Sequence, residues 1–432
     1  MDGATLNMES GRPTKSWVIG CLLAGPVIVY LILIQRYAYN FPFLDDYGTV
    51  ISHALLPAGE QVRNWFAPHN EHVHLILKMS VSFDSWLFGQ LSFIRLIWLG
   101  AAFFMILYGI ILRSEERKGL PIVWLIPLPF LLFQPSYWGT MTWTTTALHN
   151  FPGLVFTFLA LLLWKDRKLR SRGGAILLTI LALFTNGFGI ATLATLFIWE
   201  IIDVYRRRRN KISESSTYLY LILLLLISTG WILFRIGLGD LNLCASLDKV
   251  GIWNWIHFLS NFLGSCIHFM GTPWIFLLAV LELTLFAIFI KKNLLKKHPA
   301  LFFFICYLLL SALLTTYGRV ELGPQQGLAS RYRIYSTLFL CSIYLGTVHL
   351  YWKDWNSRVW ILPATIIVAL AFYASSTLVN INNLGKIRDR LKADELRWLN
   401  HEPVQEFTHP DHAARVLNEA KEAGIFLSRE SD

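Results

Sequence analysis

Asp45 and Asp46 are adjacent carboxylates in the stretch Phe41-Pro-Phe-Leu-Asp-Asp-Tyr-Gly48, a few residues past a long apolar run. A charged side chain at the centre of a bilayer costs roughly 2.5–3.5 kcal/mol, so the pair belongs at the water boundary. Like charges held side by side need a purpose. An ionised carboxylate can accept a proton from an attacking hydroxyl. It can ligate a hard cation such as Mg²⁺ or Mn²⁺ through oxygen, or hydrogen-bond sugar hydroxyls. Asp is also a good helix N-cap, and Tyr47-Gly-Thr-Val-Ile51 can open a helix. Capping uses only one of the two. The Asp next to Tyr47 is the candidate cap, which makes Asp45 the preferred base.

Three other polar clusters accompany the pair. Pro68-His-Asn-Glu-His-Val-His74 gathers His69, Asn70, Glu71, His72 and His74. The spacing His-x2-His-x-His matches no standard zinc motif. A role in positioning substrate or a phosphate is preferred to metal ligation, with a polar helix start as the plainer alternative. His149 and Asn150 stand just before Pro152, where they either bound a helix or face the site. Gly318-Arg319 and Ala329-Ser-Arg-Tyr-Arg333 supply Arg319, Arg331, Tyr332 and Arg333. The guanidinium fork suits phosphate, and a fixed cation stabilises charge developing on a departing phosphate. Snorkelling at a membrane boundary explains one such arginine more easily than three. Arg235, at the end of an apolar run, fits either role, and Asn186 sits in a turn that can reach the same place.

The elements that must position these groups are membrane spans. The chain has 432 residues, 55% hydrophobic and 15% charged, against about 25% charged in soluble domains. Its long apolar runs approach the roughly 20 residues of a bilayer span, and the short alternating segments of a β-barrel are absent. The expected fold is an all-α polytopic membrane protein. Eleven spans are expected: 17–34, 91–112, 120–134, 151–164, 174–185, 188–204, 217–237, 272–290, 300–317, 332–350 and 358–378. With the N-terminus inside, every basic cluster falls on one side. These are Arg113–Lys118, Lys165–Arg172, Arg206–Lys211, Lys291–Lys297 and Lys353–Arg358, as the positive-inside rule requires. The net charge of +10 therefore reads as orientation, not as nucleic-acid binding.

That parity gives a cytoplasmic segment 1–16, a transmembrane domain 17–378 whose first outer loop is 35–90, and a small outer C-terminal tail 379–432. The tail carries a helical pattern near Asp411–Phe426 and is expected to pack over the outer mouth. Residues 72–88 form an amphipathic pattern that lies in the interface instead of crossing. Loop aromatics such as Tyr137, Trp138, Trp143, Trp253 and Trp255 fit an interface belt. Cys21, Cys306 and Cys341 fall in apolar runs as packing residues, while Cys244 and Cys266 can both face outward and pair.

The ordered set Phe43-Leu-Asp-Asp-Tyr47, Asn70-Glu-His72, Gly318-Arg319 and Ser330-Arg-Tyr332 resembles the GT-C class of membrane glycosyltransferases, and more narrowly a group of bacterial multi-span proteins related to it. The motifs are short, but the architecture they sit in covers nearly the whole chain. The resemblance implies an enzyme of a bacterial cytoplasmic membrane with its site facing outward. It implies transfer of a sugar from a polyprenyl phosphate to a glycan, lipid or protein acceptor of the cell envelope. Asp45 or Asp46 would activate the acceptor hydroxyl, Arg319 or Arg331 would hold the lipid phosphate, and His69, Glu71 and His72 would line the pocket. Members differ in whether they need a divalent cation, so metal dependence stays open. The long soluble C-terminal domains of some members are missing. The main rival is a transporter or flippase for a lipid-linked glycan. Transporters place polar groups near the midplane on broken helices, whereas the strongest polar groups here fall at one face. Another lipid-dependent transferase, for acyl or phosphoethanolamine groups, is a further alternative.

Overall fold

A computed structural model describes residues 14–69, 72–114, 119–210, 215–237, 250–356 and 358–427. Fourteen of its α-helices have seven residues or more. They are α1 (Thr14–Tyr37), α2 (Ala58–Asn64), α3 (Leu75–Phe88), α4 (Phe93–Arg113), α5 (Thr144–Lys165), α6 (Leu169–Thr185), α7 (Gly189–Arg209), α8 (Ser215–Gly237), α9 (Ile252–Gly264), α10 (Thr272–Lys291), α11 (Pro299–Arg319), α12 (Arg333–Asn356), α13 (Ile361–Leu399) and α14 (Pro410–Glu422). Among the described residues the only β-type pairing is one isolated bridge, His69 to His72.

Eight of these helices, α1, α4, α5, α8, α10, α11, α12 and α13, are long and apolar enough to cross a membrane. The chain is thus a helical, polytopic membrane protein in architecture. Three of the eleven expected spans do not reach that standard, each for a local reason. Residues 120–134 break into a 3-10 turn, Ile122–Leu125, and a six-residue helix, Pro127–Leu132. Pro121, Pro127 and Pro129 lack the backbone donors a continuous helix needs. The helix α6 has only 17 residues. The helix α7 ends in four consecutive arginines.

The main core draws on α1, α4, α5, α11 and α12, and at one place in it Phe104 of α4 meets the rings of Phe133, of Tyr30 in α1 and of Phe151 in α5. A second core joins the first loop to the C-terminal segment. It holds Tyr39, Phe41, Phe43, Tyr47, Trp398, Leu417 and Phe426. The expected boundary at 378 falls inside α13, which continues to Leu399 and carries Ile387, Leu391 and Trp398 onto that core. Tyr39 donates to Glu395, the Leu91 amide donates to the Ile425 carbonyl at 2.7 Å, and Phe407 stacks on Tyr47 at 4.8 Å. The C-terminal segment therefore braces the loop that carries the acidic pair.

The helix α3 has 14 residues, too few to span roughly 30 Å of hydrocarbon at 1.5 Å each. It is stopped by Gly89 in the left-handed region, φ +70. Its protein-facing side mixes Leu77 and Val81, which join the second core, with polar groups, and its outer side is apolar. Lys78 and Asp84 are buried, while Phe83, Trp86, Leu87 and Phe88 are exposed. Lys78 donates to the carbonyls of Asn64 at 2.9 Å and Ala67 at 2.6 Å, closing the end of α2. Asp84 takes Arg95 by two bonds, 2.7 and 2.9 Å, which fixes α3 against α4.

Two smaller expectations change. Tyr137 and Trp143 are core residues, not belt residues, because the segment 135–143 folds inward under α5. Cys21 is exposed on the bundle surface, Cys266 is a buried free thiol, and Cys244 lies outside the described residues.

Candidate active site

The acidic pair opens on a strained residue. Leu44 has φ 48, a left-handed conformation that costs a non-glycine residue roughly 1–2 kcal/mol. The two carboxylates that follow differ in burial, Asp46 buried and Asp45 half-buried. Asp46 is 1% exposed. Its Oδ2 accepts from the Phe43 amide at 3.1 Å, and its Oδ1 accepts from the Thr145 amide at 2.9 Å and the Thr145 hydroxyl at 2.5 Å. Thr49 completes the clasp, 2.8 Å from the Thr145 hydroxyl and 2.7 Å from the Asp45 carbonyl. Burial pushes the Asp46 carboxyl up to about 7. Its hydrogen bonds from Thr145 and Phe43 pull the other way, and the charge of Asp45 adds to the rise.

Asp46 precedes the turn Tyr47–Ile51 yet makes no capping bond to it. It is instead a cross-link from the first loop to the start of α5. Asp45 is half-buried, and its carboxylate makes no hydrogen bond or ion pair among the described residues.

Thr145 and His149 are one helical turn apart on α5, so the clasp leads to the histidines. His149 Nδ1 lies 3.0 Å from His74 Nδ1. The His72 ring is 4.6 Å from that of His149 and 5.5 Å from that of His74, and the His69 ring is 6.1 Å from that of His74. His74 holds the left-handed conformation, φ 60, at the start of α3. Backbone strain of this kind persists where the surroundings over-determine it and clusters at functional sites.

Two glycines leave room for these rings. A Cβ on Gly48 would lie 2.8 Å from His69 Cε1, and one on Gly187 would lie 2.6 Å from His72 Cε1. Burial holds His72 well below its ordinary value, and the charges of His149, Arg319, Arg235 and Arg331 lower it further. Burial likewise holds His74 low, with His149, His72, His69 and Lys78 adding to it. His72 and His74 are thus neutral and stand in a positive field.

The residues singled out in the sequence divide into two groups. Asp45, His69, His72, His149, Arg319 and Arg331 are brought to one end of the bundle, joined by Arg235. Asn150 lies one step deeper. Its Oδ1 accepts from the Tyr335 hydroxyl at 3.1 Å, which in turn accepts from Asn186 Nδ2 at 2.9 Å. Arg333 is 9% exposed. Its donors go to the carbonyls of Leu328 (2.9 Å) and Ser136 (3.0 Å) and to His268 Nε2 at 3.0 Å. It fixes the 328–333 loop, leaving Arg331 over the Tyr332 ring at 5.1 Å. Tyr332 is buried against Phe262. Asn70 and Glu71 lie outside the described residues.

The donor set of the acidic pair does not suit a cation shared between both carboxylates. Three donors already face the Asp46 oxygens. The arginines around His72 favour an anion instead.

Thr145, Thr49, Gly48 and Gly187 were not singled out in the sequence. The triplet Thr144-Thr-Thr146 at the head of an apolar helix was the one available signal for Thr145. No family model, no curated protein and no solved structure matches this chain.

Proposed function

We propose that this chain is an integral-membrane glycosyltransferase that moves a sugar from a polyprenyl phosphate to an acceptor of the cell envelope. The observation that carries the reading is the division of labour in the acidic pair. Asp46 is consumed by structure, while Asp45 remains half-exposed and uncommitted among the described residues, at the end of the bundle where histidines and arginines gather. A carboxylate base beside an anion pocket is what glycosyl transfer from a lipid phosphate needs.

In this scheme Asp45 accepts the proton of the acceptor hydroxyl. The hydroxyl oxygen bonds to the anomeric carbon as the bond from that carbon to the phosphate oxygen breaks. The electron pair leaves with the lipid phosphate, and Arg319, Arg331 and Arg235 hold the charge that develops there. Neutral His72 supplies hydrogen bonds without pairing with Asp45 as a cation would.

The expected orientation puts this end outside the cytoplasm and the arginine-rich end of α7 inside. Transport is the weaker reading. The buried polar ladder of the bundle links Gln134 to Thr337 at 3.0 Å, Gln134 to Ser376, Asn380 to the Ser376 carbonyl at 2.8 Å and Asn383 to Asn380 at 3.1 Å. Along α13 this covers about 10 Å at 1.5 Å per residue, a third of the roughly 30 Å core. The test supplies polyprenyl-phosphate sugars to purified protein and looks for transfer or sugar hydrolysis. Vesicle flipping of the lipid without any bond cleavage would overturn the proposal.

A further inference from the structure

The arginine-rich end of α7 carries more positive charge than its own acids balance. Glu200 takes Arg172 at 3.0 Å, and Asp203 takes Arg167 at 2.7 Å and Arg207 at 3.5 Å. Both acids are thus already paired, and Arg208 and Arg209 lie beyond them as exposed side chains. Arg209 makes no hydrogen bond or ion pair among the described residues. Arg208 donates its Nε to the Tyr218 hydroxyl of α8 at 2.9 Å and stands 5.7 Å from the centre of that ring. This contact holds the guanidinium across the seam between α7 and α8. Its two terminal nitrogens have no partner among the described residues.

The outer side of α7 changes character along its length. Ile198, Ile201 and Tyr205 are 39%, 46% and 66% exposed. With Arg208 and Arg209 they recur at steps of three and four residues, so they form one stripe. From Ile198 to Arg209 the stripe runs about 16 Å at 1.5 Å per residue. Tyr218, which meets Arg208, and Ile222 one turn along α8 are exposed too. The order aliphatic, tyrosine, arginine is that of a phospholipid read from acyl chain through glycerol esters to phosphate. Tyrosine suits the headgroup boundary, and the guanidinium fork suits phosphate. Orienting a membrane protein needs only positive charge near the ends of its spans. It does not need an arginine tied to the neighbouring helix with its fork unengaged.

We infer that the seam between α7 and α8 binds one anionic phospholipid of the adjoining leaflet, its phosphate on Arg208 and Arg209 and its acyl chains along Ile198, Ile201 and Ile222. Charge complementarity selects the headgroup. With the acids of α7 paired to other arginines, the lipid supplies the anion that Arg208 and Arg209 lack, and it bridges the two helices. A zwitterionic headgroup brings its own cation and cancels most of that attraction. A free phosphate meets the arginines but gains nothing from the isoleucines. The site is separate from the acidic pair: α7 begins two residues after Gly187, and its 21 residues carry Arg209 about 30 Å away. The inference therefore does not depend on the proposed transfer reaction.

The test titrates the full, delipidated chain in dodecyl maltoside micelles with dioleoylphosphatidylglycerol and counts bound lipid by native mass spectrometry. One molecule should bind more tightly than the rest, and dioleoylphosphatidylcholine, with the same chains, should not replace it. Arg208→Gln together with Arg209→Gln should weaken that binding about 25-fold, at about fivefold per basic residue near a membrane surface. Arg208→Lys with Arg209→Lys keeps the charge and should stay within about fivefold of the unaltered protein. Lys296→Gln with Lys297→Gln, an exposed pair just before α11, removes equal charge elsewhere and should leave the binding unchanged. Unchanged affinity in the glutamine pair at Arg208 and Arg209, equal weakening by the pair at Lys296 and Lys297, or equal binding of phosphatidylcholine overturns the inference. Displacement of the lipid by inorganic phosphate at matched ionic strength would show a site for a free anion and also overturns it.

Discussion

Replacing Asp46 with Ala tests the division of the acidic pair through stability. The substitution removes the acceptor of the Phe43 and Thr145 amides and of the Thr145 hydroxyl. The hydroxyl has a second partner, Thr49, at 2.8 Å, so it stays satisfied. The two amides do not. Each orphaned buried donor costs about 1–3 kcal/mol, so the loss is about 2–6 kcal/mol. Asp46→Asn keeps one carbonyl oxygen for Thr145 and turns an amide N–H toward that of Phe43, for about 1–3 kcal/mol. Asp45→Asn removes no hydrogen bond among the described residues and should stay within about 0.5 kcal/mol. The assay is the thermal midpoint of detergent-solubilised protein, followed by loss of the monodisperse peak in size exclusion. The expected order of midpoints is wild type and Asp45→Asn together, then Asp46→Asn, then Asp46→Ala, several degrees below. Equal midpoints for the two Asp46 variants and wild type would refute the clasp. A drop for Asp45→Asn as large as that for Asp46→Ala would refute the assignment of Asp45 as the uncommitted partner.

Three further outcomes follow from the same geometry. Stability should fall on acidification. His53, held down to about 4, His268, held down to about 3, and His72 and His74, held well below the ordinary value, take up protons on unfolding once the pH drops below about 6.5. Asp46, pushed up to about 7, works in the opposite direction: its contribution is present at low pH and is lost as pH rises through about 7. Four histidines less one carboxyl give up to about 4 kcal/mol per pH unit between pH 6 and 5, read as a lower thermal midpoint at pH 5 than at pH 7; an unchanged midpoint would count against the buried neutral cluster. Gly187→Ala should displace the His72 ring, since the new methyl would lie 2.6 Å from its Cε1, and should weaken donor binding roughly tenfold in a lipid-phosphate binding assay; unchanged affinity would remove His72 from the pocket. Removing residues 400–432 should loosen the first loop, because Phe407 leaves Tyr47 and Phe426 leaves Phe41 and Phe93, and limited proteolysis should then cut within 39–56; protection equal to that of the full chain would show that the C-terminal segment braces nothing.

The spans that were legible in the sequence are those with an unbroken apolar window, because length and composition alone decide whether a helix can cross. Residues 120–134 looked equally apolar but carry three prolines, whose effect on helix continuity outweighs hydropathy. The orientation of α3 was half legible: the amphipathic pattern showed, but which polar groups turn toward the protein depended on Lys78 reaching the end of α2 and on Asp84 meeting Arg95. In the acidic pair, the identity of the structural member was legible only in part. Position beside Tyr47 suggested a helix cap, whereas Asp46 is held by a threonine 99 positions away, which no local pattern announces. Arg333 resembled Arg331 in sequence, and only the carbonyls of Ser136 and Leu328 separate a loop anchor from a candidate phosphate ligand. Arg235 could not be placed because the pocket it joins is assembled from the first loop, α8 and α11 together.

The most direct measurement of the central claim is sugar transfer by purified protein from a polyprenyl-phosphate donor, with wild type compared against Asp45→Asn at matched folding and insertion. The proposed chemistry requires turnover in the wild type and its loss in Asp45→Asn, with donor binding retained. Turnover by Asp45→Asn at the wild-type rate would contradict it.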